Sequence, residues 1–196
     1  MEKEISKDNN NVRLCGLLLA GGYSTRMGQD KAFIQYKGKP VYQHLAQTLD
    51  CVCAEVKISC RQEQEALFSD YTTIIDAFPS SGPLTGLLSA FMDDPRNSKL
   101  VAPVDMPYLT VDFLRKYLIS QRDVFADATI IMDQRTDTLH PLVGIYETSS
   151  YSTISQQFQK GQYSVKKILN MLRVNVVSFT EDQNVLANFN SPSDWQ

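Results

Sequence analysis

The sequence predicts an α/β domain with a largely parallel sheet, and three observations support this. Apolar runs of strand length alternate with stretches in which apolar residues recur at helical spacing. The first run, at 14–20, shows no period-two alternation, which is typical of a strand covered on both faces. Loops rich in glycine or proline follow several of the runs. Ligands bind beyond the carboxyl ends of the strands in such sheets, so we expect a site there.

The predicted elements follow one another in regular order along the chain. Strands are predicted at 14–20, 56–60, 72–75, 99–104, 128–132, 142–146 and 174–179. Helical spacing of apolar residues is found within 41–52, 84–92, 113–118, 151–158 and 165–172. Pro40 and Pro83 stand at the start of the first two helical stretches, where proline is favoured, and Thr110 is the predicted N-cap of the third.

Composition predicts one soluble domain at 13–196, preceded by a polar, flexible lead-in at 1–12. The 196 residues are 43% apolar and 21% charged, as in ordinary globular proteins. The net charge of -3 argues against a broad nucleic-acid surface, and no apolar run approaches the roughly 20 residues of a membrane span. The N-terminus also lacks the apolar core of a signal peptide. We therefore expect a protein that binds neither nucleic acid nor membrane. Its four cysteines have neither zinc-site nor redox spacing and indicate a reducing compartment, so we expect it to be cytoplasmic.

The segment at 19–31, LAGGYSTRMGQDK, has the residues of a phosphate-binding loop. It contains three glycines, whose backbone amides can approach an anion: Gly21, Gly22 and Gly28. Arg26 and Lys31 supply positive charge beside them. The spacing fits neither a Walker loop nor the dinucleotide fingerprint, so a different phosphate loop is predicted. The alternative is a strand-to-helix turn with solvated basic residues.

Two aspartates follow predicted strands. Asp105 lies directly after a buried strand, where a single carboxylate suits Mg²⁺ that is also held by substrate phosphates. The alternative for Asp105 is a turn-capping role before Pro107. Asp76 ends the strand at 72–75, and an isolated aspartate in that place is more often a turn former.

Together these motifs resemble the molybdenum cofactor guanylyltransferase family, within the glycosyltransferase-A-like nucleotidyltransferases. The resemblance runs in the right order from about residue 14 to the C-terminus. The matching segments are Leu19-Ala20-Gly21-Gly22, Ser24-x-Arg26-Met27-Gly28, Asp30-Lys31, Gly38-Lys39-Pro40, Asp76, Gly82-Pro83-Leu84-x-Gly86, Asp105-Met106-Pro107-Tyr108-Leu109, His140-Pro141 and Asn188-Phe189-Asn190-Ser191-Pro192. The resemblance implies a three-layer α/β/α, Rossmann-like nucleotidyltransferase fold with a mostly parallel mixed sheet.

The resemblance also implies roles for individual residues. The catalytic residues it implies are Arg26, Lys31 and Asp105, with Asp105 holding Mg²⁺. The nucleotide contacts it implies are Leu19, Ala20, Gly21, Gly22, Lys31, Ser59, Asp76, Gly82 and Asp105. Ser59 stands where the family often has an asparagine that contacts the base, so selectivity for guanine is an open question. The acceptor contacts it suggests are His140, Asn188 and Asn190, each with a purely local structural role as the alternative.

The implied reaction is transfer of GMP from GTP to the terminal phosphate of molybdenum-molybdopterin, with release of pyrophosphate. Other cofactor-assembly proteins and recipient molybdoenzymes are the partners the family implies. Two alternatives stay open at this point. The first is a cytidylyltransferase or sugar-phosphate nucleotidyltransferase of the same fold, and the second is a nucleotide-binding regulatory module without turnover.

Overall fold

The computed structural model describes residues 13–22, 30–78, 82–181 and 184–189. Its strands are β1 (Leu14–Leu19), β2 (Gln35–Tyr36), β3 (Lys39–Pro40), β4 (Glu55–Cys60), β5 (Thr72–Ile75), β6 (Ser98–Pro103), β7 (Ala128–Asp133), β8 (Thr138–Tyr146) and β9 (Val174–Phe179). Its α-helices are α1 (Val41–Asp50), α2 (Pro83–Asp93), α3 (Val111–Phe113), α4 (Ser150–Gln159) and α5 (Val165–Leu169). A π-helical turn, Leu114–Ile119, continues α3. Three-residue-per-turn helices occur at Lys31–Phe33, Gln62–Phe68 and Asn184–Leu186.

Seven of the strands form one mixed sheet in the order β5-β4-β1-β6-β8-β7-β9, and β2 and β3 form a separate small hairpin. Within the large sheet, β8 is antiparallel to both of its neighbours. The remaining pairings are parallel. The other six strands therefore end at the same edge of the sheet, and the predicted mostly parallel α/β class is confirmed.

The first strand shows how the layers form. Leu17 and Leu18 point to opposite faces and belong to two different buried clusters. The cluster around Leu18 includes residues of α1 and of the π-helical turn after α3. The cluster around Leu17 includes residues of α2, α4 and α5. Helices thus cover both faces, which explains why the strand lacks a polar face in its sequence.

Several sequence predictions hold at the level of single residues. Pro83 begins α2. The Thr110 side chain accepts a hydrogen bond from the backbone amide of Phe113, as an N-cap residue does. No helix in the described part of the chain is long and apolar enough to cross a membrane.

The structure differs from the prediction in two segments that matter below. The antiparallel strand begins at Thr138 rather than at residue 142. The short helix Gln62–Phe68, which directly follows β4, was not predicted, because its sequence is mostly polar and shows no clear helical apolar period.

Candidate functional site

The ends of β5, β4, β1 and β6 lie side by side, and backbone hydrogen bonds extend their pairing just past the strands. The amide of Ala20 donates to the carbonyl of Ser59 at 2.9 Å, and that of Val104 donates to Leu19 at 3.1 Å. The amide of Asp76 donates to the carbonyl of Cys60 at 2.9 Å. The residues that follow these strands are therefore held in one row by the sheet itself.

Lys31 and Asp105 form the charged pair of the site. The Nζ atom of Lys31 lies 3.5 Å from Oδ2 of Asp105, although 74 residues separate them in sequence. Burial raises the pKa of the Asp105 carboxyl, and the neighbouring Lys31 ammonium opposes that rise. Because the pair stays partly exposed, both groups are accessible to a polar ligand at this edge.

Short backbone contacts set the position of each member of the pair. Asp30 caps the helical turn that Lys31 begins, since its Oδ1 accepts from the amide of Ala32 at 3.1 Å. The carbonyl of Asp105 accepts from the amide of Phe189 at 2.8 Å. The C-terminal part of the chain therefore reaches back to the site and contacts it through main chain.

Ser59 and Asp76 form a second, more buried pair. The Ser59 hydroxyl donates to Oδ1 of Asp76 at 2.7 Å, and the serine is only 1% exposed. Burial raises the pKa of Asp76, whereas the Ser59 hydrogen bond and the Arg61 charge oppose the rise. The serine thus orients one oxygen of the Asp76 carboxylate and is itself buried from solvent.

Two glycines pack against this pair. A Cβ atom added to Gly21 would lie within 3.0 Å of Oδ2 of Asp76, closer than real Cβ atoms come to other heavy atoms. A Cβ added to Gly86 would meet the Ser59 hydroxyl and would lie 2.7 Å from Cδ2 of Leu19. Glycine at these two positions is therefore a packing requirement.

Arg61 and Gln64, which the sequence reading did not single out, join the site to the loop. Arg61 follows β4, and its Nη1 donates to the carbonyls of Gly21 at 2.6 Å and Gly22 at 2.9 Å. Gln64 is 2% exposed, and its amide nitrogen donates to the carbonyl of Ala20 at 3.3 Å and to the carboxylate of Asp30. These two residues follow a parallel strand, as Asp76 and Asp105 do. Their position after a strand end was the one feature of the sequence that could have identified them as site residues.

The other predicted site residues are placed as follows. Leu19 and Ala20 are 8% and 1% exposed, so they face the site through their backbone. Gly82 is exposed, precedes α2 and has φ of 80°, in the left-handed region that glycine adopts readily. Arg26 and Asn190, predicted as catalytic and acceptor residues, lie outside the described residues.

Two of the predicted acceptor residues, His140 and Asn188, lie within the described part of the chain. His140 lies on β8 opposite Ile131, and burial lowers its pKa while Asp133 opposes that change. Asn188 is exposed and immediately precedes Phe189, whose amide holds the Asp105 carbonyl. The described hydrogen bonds join neither side chain to Lys31 or Asp105, so their acceptor role stays a prediction.

The residues at the site fit one kind of magnesium binding. Among the described residues, no group of three or more histidine, cysteine, aspartate or glutamate side chains is arranged to hold a metal ion. Asp105 offers one carboxylate at the sheet edge, beside Lys31. Mg²⁺ is commonly held by one or two carboxylates together with substrate phosphates and water, so Asp105 is a suitable ligand for an ion that binds with a nucleotide.

Comparison with known proteins gives a consistent result. Residues 16–176 match the model of the MobA-like NTP transferase domain. The probable molybdenum cofactor guanylyltransferase of Pelotomaculum thermopropionicum is 30% identical over 190 residues, which are 93% of this chain and 90% of that protein. A molybdenum cofactor biosynthesis bifunctional protein of Synechocystis is 30% identical over 96% of this chain. The match covers 54% of that protein, so the chain spans about half its length.

A solved structure agrees at the level of the fold. The molybdopterin-guanine dinucleotide biosynthesis protein A of Archaeoglobus fulgidus superposes with a TM-score of 0.75 and 23% identity, over 92% of this chain and 94% of that one. This likeness supports the Rossmann-like nucleotidyltransferase fold. Since the family model matches most of the chain and the relatives match nearly all of it, the protein belongs to the MobA-like NTP transferase family, as its motifs indicated.

Proposed function

We propose that this protein transfers GMP from GTP to the terminal phosphate of molybdenum-molybdopterin, forming molybdopterin guanine dinucleotide. The observation that carries the proposal is the Lys31–Asp105 pair, 3.5 Å apart, at the sheet edge where β1 continues into Gly21 and Gly22. A cation, a carboxylate and exposed loop backbone at one sheet edge are the groups that a magnesium–triphosphate complex needs. The choice of the molybdenum cofactor as the acceptor rests on the names of the relatives.

In the reaction, a phosphate oxygen of the acceptor forms a bond to the α-phosphorus of GTP. The bond from that phosphorus to the bridging oxygen of the β-phosphate breaks, and pyrophosphate leaves with the electron pair. Because the attacking oxygen is already anionic, no strong general base is needed. The protein has to align two anions and stabilise the charge that develops on the leaving group.

The described residues divide this work between them. The Lys31 ammonium lies 3.5 Å from a carboxylate oxygen of Asp105. We expect it to contact the phosphates of GTP, because a triphosphate offers a charge-assisted contact. Asp105 would hold Mg²⁺, which supplies positive charge to the phosphates when it is bound. We expect Asp76, whose Oδ1 accepts a hydrogen bond from Ser59, to accept hydrogen bonds from the nucleoside.

Base selectivity separates this proposal from its nearest alternative, a cytidylyltransferase of the same fold. Thermal shift with GTP, CTP, ATP and UTP, each with Mg²⁺, tests it first, and GTP is expected to give the largest stabilisation. A larger shift with CTP would favour the alternative.

Turnover is tested by pyrophosphate release from GTP in the presence of molybdenum-molybdopterin. We expect release that depends on the acceptor and is lost in Asp105→Asn. Asp127→Asn is the matched control, because Asp127 pairs with Arg173 just before β7 and β9, at the opposite edge of the sheet. Nucleotide binding without any release would favour a regulatory module over an enzyme.

A further inference from the structure

Arg61 and Gln64 hold the beginning and the end of the predicted phosphate loop together. We propose that Arg61 is a positioning residue that fixes the backbone of Gly21 and Gly22 for phosphate binding, with Gln64 as its support. The proposal deepens the function proposed above and rests on it for the identity of the ligand. No role for either residue follows from the family motifs.

The guanidinium of Arg61 reaches both ends of the loop. Its Nη1 donates to two successive carbonyls, those of Gly21 at 2.6 Å and Gly22 at 2.9 Å. Its Nη2 lies 3.7 Å from Oδ2 of Asp30, where the described chain resumes after the loop. A planar group with several donors in fixed directions is suited to hold such a set of acceptors.

Gln64 contacts Arg61 and also two of the residues on either side of the loop, Ala20 and Asp30. Its Oε1 accepts from the backbone amide of Arg61 at 2.9 Å, which fixes the start of the short helix that follows Arg61 and contains Gln64. Its amide nitrogen donates to the carbonyl of Ala20 and to the carboxylate of Asp30. The side chain is almost fully buried, so these acceptors depend on it rather than on water.

The Arg61 contacts determine where a loop amide points. In a trans peptide the carbonyl oxygen and the following N–H point in opposite directions, and no described peptide bond is cis. The Gly21 carbonyl points to Arg61. The N–H of Gly22 is therefore directed away from Arg61, where it can donate to an anion. Arg61 thus orients a phosphate donor without contacting phosphate itself.

The charge of Arg61 also has protein partners. Its Nε donates to Oε1 of Glu63 at 2.8 Å, and the carboxylate of Asp30 lies on its other side. Two carboxylates beside the guanidinium offset its charge, so it attracts a phosphate less strongly than an isolated guanidinium would. This pattern favours a positioning role over a direct phosphate contact.

The substitution Arg61→Lys tests whether the positive charge of residue 61 is sufficient without its geometry. Lysine keeps the charge, but its single ammonium cannot reproduce the fork that spans two carbonyls and Asp30. If Arg61 acts by geometry, Arg61→Lys and Arg61→Ala should each weaken GTP binding by about tenfold, the equivalent of one or two hydrogen bonds. Guanosine, which has no phosphate, should bind as it does to the unchanged protein. Arg173→Ala is the control, because it removes an arginine ion pair at the opposite edge of the sheet.

A second measurement does not depend on the ligand. Order parameters of the Gly21 and Gly22 amides from ¹⁵N relaxation, in the nucleotide-free protein, should fall from near 0.85 to below about 0.6 in Arg61→Ala and stay unchanged in Arg173→Ala. Unchanged order parameters in Arg61→Ala, full GTP affinity in Arg61→Lys, or equal losses for GTP and guanosine would each overturn the proposal. If the unchanged protein binds no GTP, the proposed function fails, and the order parameters still decide whether Arg61 fixes the loop.

Discussion

The substitution Gly21→Ala tests whether the loop and Asp76 share one tightly packed space. The added methyl group would lie within 3.0 Å of Oδ2 and 3.4 Å from Cγ of Asp76, whereas ordinary contact begins at 3.4 Å. The carboxylate or the loop must therefore move by more than 0.4 Å, the difference between 3.4 and 3.0 Å. Asp76 cannot move freely, because its Oδ1 accepts the Ser59 hydrogen bond at 2.7 Å.

The expected magnitude follows from this geometry. Extra methyl groups in well-packed sites typically destabilise proteins by about 1–3 kcal/mol. For a chain of this size each kcal/mol lowers Tm by about 2–4 °C. Gly22→Ala is the matched control, because a Cβ on the neighbouring glycine meets no described atom within 4 Å and its φ lies outside the left-handed region. We expect Gly22→Ala to change Tm by less than Gly21→Ala does.

Chemical denaturation and a double-mutant cycle with Asp76→Ala test the cause of the effect. Once the carboxylate is absent, the Gly21→Ala methyl group has space, and its destabilisation should largely disappear. Isothermal titration with GTP and Mg²⁺ should show weaker binding for Gly21→Ala than for Gly22→Ala. If Gly21→Ala destabilises the protein equally with and without the Asp76 carboxylate, the steric argument is refuted.

The remaining predictions concern three site residues. Lys31→Ala should weaken GTP binding more than guanosine binding in titration calorimetry, because its charge is directed at phosphates, and equal losses would contradict that role. Asp105→Asn should abolish Mg²⁺-dependent transfer without loss of the fold. Burial raises the pKa of Asp105 above 3.8, so ionisation of this carboxyl destabilises the folded state. In thermal melts, the stability of the wild-type protein relative to Asp105→Asn should therefore fall as pH rises through the raised pKa. If the side chain of residue 59 contacts the base, Ser59→Asn should strengthen the binding of GTP relative to that of CTP in a competition assay. Because Ser59 packs against Gly86, the larger side chain should also lower the stability of the protein by about 1–3 kcal/mol.

The fold could be predicted because its main signals are local in sequence. Unbroken apolar runs such as 14–20 identify strands covered on both faces, and Pro83 and Thr110 mark helix starts by their own backbone chemistry. Strand direction has no comparable local signal. Nothing in the residues of β8 indicates that it runs against β6 and β7, and its first residues extend past the apolar run that predicted it.

The candidate site was predictable to the extent that it follows strand ends. Asp105 and Lys31 were identified from a carboxylate after one strand and a cation in the loop after another, and the structure brings them together. Arg61 and Gln64 were missed because their partners are main-chain carbonyls and a carboxylate at least 34 residues away. Hydrogen bonds from a side chain to distant backbone leave no periodic pattern in the sequence.

Ser59 shows how the structure changes the meaning of a predicted site residue. A hydroxyl group has one proton to donate, and Ser59 donates it to Asp76 while Gly86 packs against the same side chain. To donate to a base, the hydroxyl would have to give up its bond to Asp76, whose carboxylate is itself partly buried and would lose a partner. Ser59 therefore acts on the nucleotide most directly through the orientation of Asp76. A guanine preference that survives Ser59→Ala would place base recognition in the main chain near Gly82 and Gly86, whereas loss of the preference would place it in the Ser59–Asp76 pair.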